Sequence, residues 1–547
     1  MNRIEITWPN GKTSLLEKVK PDQEITVDIK TSGNVPFEER RESSPWFSGM
    51  DEKTGVNFKH TENEIDDFSR EPLLPYKYSM LGPALATGDI NGDGLDDFFI
   101  GGAFRYPATL YLQKPDGSFE PVNEERWWEE RLFEDVGAVF FDADNDGDLD
   151  LYVVSGGNEY KEGTDGLQDR LYLNDGNGNF SKDPDALPTM LTSGSRVVPF
   201  DYDQDGDLDL FVGGRQVPGG YPKPADSYLL ENRKGKFIDV TLEKAPDLKK
   251  LGMVTDAVWI DFDQDEDPDL ILAGEWMPIT IFENKDGKFR KIENADNGLE
   301  NSSGWWFSIA AHDFDNDGDM DLVAGNLGLN YKYKASAEGP FEVFYLDYDQ
   351  NNWHEIVLAY HQDGNLYPVN DRMDLVTTIP ALEDKFPKND PFSVATMSEI
   401  FGDSVLNNSL HYKACTFASS YIENLGNGKF RITPFDNLAQ ITSQHAILCE
   451  DVDQDGNMDI IMAGNLYGAE VETTRNDAGI GILLKGDGKG NFKTVAYMQS
   501  GLFAEGDIRD MKWLRTPTGK IIVCARNSDT IQFIRLNQKK EYAEVRD

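Results

Sequence analysis

Asp142, Asp144, Asp146, Asp148 and Asp150 alternate through one nine-residue stretch, D-A-D-N-D-G-D-L-D, and that phrase recurs along the chain. Oxygens at positions 1, 3 and 5 converge on a point when such a loop coils. Gly at position 6 permits the turn, the carbonyl at position 7 adds a donor, and the carboxylate at position 9 closes the shell. An all-oxygen set of this size suits Ca²⁺ better than Mg²⁺, which takes fewer protein ligands in stricter octahedral geometry. Zinc fits poorly, because neither His nor Cys is grouped with the aspartates.

Four further copies keep the pattern D-x-[DN]-x-D-G-x-x-D. They are Asp89, Asn91, Asp93 and Asp97 with Leu95 at the seventh position; Asp201, Asp203, Asp205, Asp207 and Asp209; Asp313, Asp315, Asp317, Asp319 and Asp321; and Asp451, Asp453, Asp455, Asn457 and Asp459. Two copies depart from it. Asp261, Asp263, Asp265, Asp267 and Asp269 flank Glu266 where Gly is expected, and Asp347, Asp349, Asn351 and Glu355 form a less anionic set that reaches further at its end. One acidic turn could be a solvated surface loop. Five in register argue against that, because unneutralised carboxylates so close together repel one another. We expect five Ca²⁺ sites and up to seven, with some strain at Glu266 if it adopts the glycine conformation.

No helix pattern flanks these loops, and the last carboxylate falls at position 9, not at the position 12 of an EF-hand. Short apolar runs stand on both sides instead, such as Ala138-Val-Phe-Phe141 before one loop and Leu151-Tyr-Val-Val154 after it. That reads as a β-hairpin with the ion at its turn. The loops begin at 89, 142, 201, 261, 313, 347 and 451, so most intervals are 52 to 60 residues. A second hairpin follows each one, as in Tyr172-Leu-Asn-Asp-Gly-Asn-Gly-Asn-Phe180 and Phe282-Glu-Asn-Lys-Asp-Gly-Lys-Phe289. Two hairpins per period predict four-stranded antiparallel units repeated radially, an all-β propeller. Arg509–Leu514, Ile521–Cys524 and Thr530–Arg535 add a unit without a metal loop. The count favours eight blades, with seven as the alternative, the propeller over 84–537 and an insertion at about 369–413 that is helical near Met397–Leu406.

These repeats resemble the FG-GAP or VCBS repeats of integrin α-subunit propellers and bacterial surface proteins. The resemblance implies calcium at one face and ligand contacts at the other. At the front of the chain Ile4–Lys12, Leu15–Val19 and Ile25–Ile29 resemble the closing strands of an ASPIC/UnbV domain. We therefore expect an ASPIC/UnbV-like β segment at 1–33, a linker at 34–83, a tail at 538–547 and further domains in a longer protein.

The net charge is −46 and the pI about 4.4. Ca²⁺ in five loops leaves the surface strongly anionic, which excludes phosphate backbones and anionic membranes as partners. Cys415, Cys449 and Cys524 are too few for a disulfide framework and read as small buried apolar residues. No stretch is long and apolar enough to insert in a membrane, and no signal peptide is visible. Extracellular calcium modules bind at about 0.1–1 mM, so an extracellular, cell-surface or periplasmic setting is expected.

Segments at the strand ends away from the loops should form the ligand face. Arg215, Glu275, Trp276, Trp305, Trp306, His445 and Arg526 could there stack on and hydrogen-bond a glycan or grip a protein. Glycines and amides in the same turns also serve backbone geometry alone. No H-E-x-x-H, G-x-S-x-G or P-loop motif is present. The leading function is a calcium-stabilised adhesion or ligand-recognition module. Its rivals are a glycan-active enzyme such as a polysaccharide lyase, with His445 as base, and a purely structural repeat module.

Overall fold

The computed structural model describes residues 3–8, 13–20, 25–31, 45–50, 54–295, 297–351 and 353–537, which fall into two compact units, Met1–Pro45 and Trp46–Asp547. In the first, Arg3–Thr7 pairs antiparallel with Thr13–Glu17, and the Trp8 indole donates to Ser14 Oγ at 2.9 Å. The third strand expected at Ile25–Ile29 is not formed; Ile29–Thr31 is a 3₁₀ turn.

The second unit contains eight sheets built on four-stranded antiparallel meanders, matching the eight anchor points of the sequence. Seven of them form the ring. Their inner strands are Leu85–Gly88, Asp135–Phe141, Ser193–Phe200, Met253–Ile260, Ser308–His312, Ala446–Glu450 and Ile508–Thr516, here taken as blades 1 to 7. Each inner strand contacts the next, and blade 7 contacts blade 1, so the ring closes at seven. Blade 7 is completed by Phe47–Gly49, which pairs with Gln532–Leu536. A strand from inside the expected linker thus fastens the last blade.

The eighth sheet lies outside the ring. Its strands Phe341–Leu346, Glu355–Gln362, Asn365–Pro368 and Leu410–Ala414 are spliced between the second strand of blade 5, Asp321–Gly325, and the third, Ser420–Asn424. The insertion therefore begins before residue 369 and includes the loop at 347. Its short helices include Met397–Phe401, whose capping box joins Thr396 and Glu399, close to the expected helical piece.

Why the second strands carry apolar residues at successive positions after the first aspartate follows from the packing. Leu151 and Val153 join the core shared with blade 1, while Tyr152 and Val154 join the core shared with blade 3. Successive side chains point to opposite faces of a strand, and both faces here are covered by neighbouring blades. Cys524 is buried, whereas Cys415 and Cys449 are only half-buried.

Candidate metal centres

Each metal loop joins an inner strand to the second strand of its blade, so all six of the ring lie on one face. Ligating oxygens of Asp142, Asp144 and Asp146 lie within 4.8 Å of one another. The same holds for Asp201, Asp203 and Asp209, for Asp261, Asp263 and Asp265, and for Asp313, Asp315 and Asp321. Backbone donors pre-form the coil. The amides of positions 5 and 6 donate to the first aspartate, as Asp205 N and Gly206 N do to Asp201 at 3.1 and 3.0 Å. Inside the coil Asp142 Oδ1, Asp144 Oδ1, Asp203 Oδ1 and Asp263 Oδ1 are buried without a donor. Oxygens that converge and lack protons to accept fit a hard cation.

Glu266 adopts the glycine conformation at φ +73°, and its amide still donates to Asp261 at 2.9 Å. The loop at 261 thus keeps the shared coil. In the loop at 347, Asn351 N donates to Asp347 at 3.0 Å, and burial together with Asp349 and Asp347 raises the Glu355 carboxyl to about 7. In the loop at 451, Lys485 Nζ pairs with Asp453 and, at 2.8 Å, with Asp455. An internal ammonium there competes for carboxylates that a metal would use.

The ninth residue does more than close a shell. Asp150 is buried, and it accepts from Ala143 N at 2.9 Å and from Asn174 N, in the third strand, at 2.8 Å. Asp269 accepts from Phe262 N and Asn284 N in the same way. Burial raises these carboxyls, to about 7 at Asp97, 6 at Asp150, 8 at Asp209 and 7 at Asp269, against the lowering effect of the backbone donors. A cation beside them would favour the charged form.

A second repeated residue escaped the sequence reading. Asn174, Asn232 and Asn424 end the third strands of blades 2, 3 and 5, and Asn284 is next to last in that of blade 4. The Asn232 amide donates to Leu208 O in its own loop at 3.0 Å and to Ala143 O in the preceding blade's loop at 2.9 Å. Asn174, Asn284 and Asn424 reach back to Ile90 O, Tyr202 O and Phe262 O at 2.8, 2.9 and 2.9 Å. The loops at 89, 142, 201 and 261 are therefore each stapled to the next blade. The recurring Asn of Tyr172-Leu-Asn174 and Leu230-Glu-Asn232 was the available signal.

The opposite face is not an open ligand surface. The stretch from His60 to Pro83 crosses the strand ends there and fills it. Glu275 accepts from Tyr76 Oη at 2.5 Å, Tyr78 Oη at 2.7 Å and Tyr221 Oη at 2.9 Å, and pairs with Arg215 at 2.5 Å. Trp276, at φ +61°, stacks on Phe341, and Trp305 packs edge-on against Tyr76 and Trp276. The Trp306 indole donates to Ser302 O at 2.8 Å. His445 stacks on Phe307, and burial with Arg509 and Arg215 nearby holds its pKa well below the usual histidine range. Arg215, Glu275, Trp276, Trp305, Trp306 and His445 are all buried. Strand order brings them to one face, and the chain's own tyrosines occupy the space assigned to a ligand. Arg526 stays half-buried, donating to Thr530 O at 2.7 Å. In the ring's centre Arg196 pairs with both Asp256 and Asp510 at 2.9 Å.

A family model for FG-GAP-like repeats matches residues 89–153, 142–212 and 261–324. The chain is a β-propeller that carries FG-GAP-like repeats. The matched spans run from a metal loop through the second hairpin into the next blade, which is the unit the loops and asparagine staples define. No curated protein sequence matches it. Among solved structures, BBS1N in complex with ARL6DN aligns at 10% identity and TM-score 0.37, covering 85% of this chain and 95% of that one. The Dos1 propeller aligns at 11% and 0.36, covering 84% and 94%. The V. cholerae biofilm matrix protein Bap1 aligns at 11% and 0.28, covering 88% and 91%. The FG-GAP repeats and the sheet topology, not these loose likenesses, define the fold.

Proposed function

We propose that this FG-GAP propeller is a calcium-stabilised recognition module of an exported protein, binding a glycan or protein ligand at its surface. The convergence of donor-free carboxylate oxygens in the loops carries the calcium part of this reading. Ca²⁺ there would neutralise a run of buried and half-buried aspartates, and the asparagine staples would pass the ordering of one loop to the next blade.

Recognition belongs elsewhere than the filled face. A cleft of about 240 Å³ between the inserted sheet and the ring is lined by Arg70, Glu71, Lys223, Tyr345, Trp353, His354 and Glu355. Trp353 is 64% exposed there. An exposed aromatic face beside both cationic and carboxylate groups suits the stacking and hydrogen bonding of a sugar ring or of a polar protein segment. The glycan-active alternative loses its named base, because His445 is buried and held neutral. The N-terminal hairpin fits the end of an ASPIC/UnbV domain only in its first two strands.

A glycan and peptide array probed with the whole chain, with Ca²⁺ and with a chelator, tests the reading. Binding that needs Ca²⁺ and is lost in Trp353→Ala supports it. Cleavage of a glycan supports the enzyme, and silence throughout supports a structural module.

A further inference from the structure

His60, Glu62 and Glu134 each bring one ligating atom within 4.8 Å of the other two, away from every aspartate loop. His60 and Glu62 belong to the stretch that crosses the filled face. Glu134 immediately precedes the inner strand of blade 2. None of the three lies in an aspartate loop, and of the three only Glu134 falls within a matched repeat, so the FG-GAP pattern does not account for their meeting. His60 is 1% exposed and Glu134 fully buried.

Each carboxylate is fixed by one oxygen and left open at the other. Asn527 Nδ2 donates to Glu62 Oε1 at 2.5 Å, and Phe104 N donates to Glu134 Oε2 at 2.7 Å. Glu62 Oε2 and Glu134 Oε1 are buried and accept from no protein donor. Among the described residues no Lys or Arg comes within ion-pair distance of either glutamate; Arg509, close enough to act on Glu62 electrostatically, is committed to Asp507 at 2.8 Å. Ser528 N donates to His60 Nδ1 at 3.2 Å, so the neutral ring carries its proton on Nε2, and a metal bound at Nδ1 would take the place of the Ser528 amide. Burial holds His60 unprotonated, with a pKa lowered to about 3, and raises Glu62 to about 8. Burial also raises Glu134 well above the carboxylate range, with Glu62 and Glu159 adding to the effect.

Two buried carboxylates brought this close, each with one oxygen that no donor reaches, repel unless a cation or a shared proton sits between them. Amides that hold one oxygen of each carboxylate can orient such groups round a metal. One imidazole nitrogen with two carboxylates matches the small N/O set of a first-row ion, and falls short of the six to eight oxygens that Ca²⁺ takes. We propose that His60, Glu62 and Glu134 bind one divalent ion of the zinc class, at a site distinct from the calcium loops. Through Asn527 and Ser528 the site also touches the loop that follows the second strand of blade 7, so the ion clamps the crossing stretch to blades 2 and 7 beside the seam where the ring closes.

The whole chain, stripped with EDTA and returned to millimolar Ca²⁺ to fill the loops, is titrated with Zn²⁺ against a chromophoric chelator. One Zn²⁺ per chain is expected, with Glu134→Gln and His60→Gln each weakening it at least about 10-fold, while near-UV circular dichroism checks their folding. Zinc-edge anomalous diffraction from the unaltered chain should place a peak between the three side chains, whether or not either variant folds. Absence of Zn²⁺ uptake by the unaltered chain, a peak elsewhere, or unchanged affinity in both variants overturns the site and leaves the glutamates sharing protons. Calcium bound by the loops is counted separately, so neither result depends on the other.

Discussion

The two faces of the ring balance charge in opposite ways. At the loop face, aspartates converge with oxygens that no protein donor reaches, as at Asp142, Asp144 and Asp203. At the far face and in the centre, buried charges are matched within the chain: Arg215 with Glu275, Arg170 with Asp135, and Arg196 with Asp256 and Asp510. On the proposed calcium reading, one face depends on a solute and responds to its concentration. The other, apart from the His60, Glu62 and Glu134 cluster, is settled once the chain folds. A chain of net charge −46 can fold this way because the uncompensated carboxylates gather where an ion can reach them.

Chelation should separate the faces most strongly. A site held at 100 times its Kd stabilises by about 2.7 kcal/mol, so emptying several loops should lower the melting temperature far more than any single substitution, and near-UV signals from the buried tryptophans of the far face should fade last. A melt that chelator leaves unchanged would erase the contrast.

The far face should break instead through its own pairs. Glu275→Gln leaves the Arg215 guanidinium uncompensated among three tyrosines, and breaking a buried pair costs about 3–5 kcal/mol. Denaturant unfolding should show that loss equally with and without Ca²⁺.

At the loop face the asparagine staples come next. Asn232→Ala removes donors to Leu208 O and Ala143 O and should cost about 2 kcal/mol, with reduced Ca²⁺ affinity in the loops at 142 and 201. A change confined to stability, with affinity intact, would show that the staples do not couple the loops.

pH offers a further division. Asp97, Asp209 and Asp269 have carboxyls raised by burial to about 7, 8 and 7. A raised carboxyl contributes stability that is complete below its unfolded pKa and is lost as pH climbs through the folded one. The calcium-free chain should therefore lose stability progressively between about pH 4 and 8, and the calcium-loaded chain should not. Thermal melts across that window decide it. The smallest effect is expected at Glu266→Gly, where relief of the positive φ should stabilise by about 1 kcal/mol, read by the same melts.

The loops, their hairpins and the radial repeat were legible because metal ligation and tight turns fix residue type position by position. The same local logic places Glu266 in the glycine conformation. Ring size was harder, since the anchor at 347 belongs to a sheet spliced into blade 5, and Phe47–Gly49 reaches blade 7 across nearly the whole sequence. The role of Asn232 was hidden because its partners lie in two separate loops. Trp305 and Glu275 misled for a related reason. Strand order put them at the correct end of the blades, but only the path of residues 60–83 decides that Tyr76 and Tyr78 cover them.

Equilibrium dialysis at millimolar Ca²⁺, with metal counted per chain, tests the central claim most directly. The loops predict five to seven ions, and loss of one in Asp205→Ala. Fewer than four per chain would contradict the account.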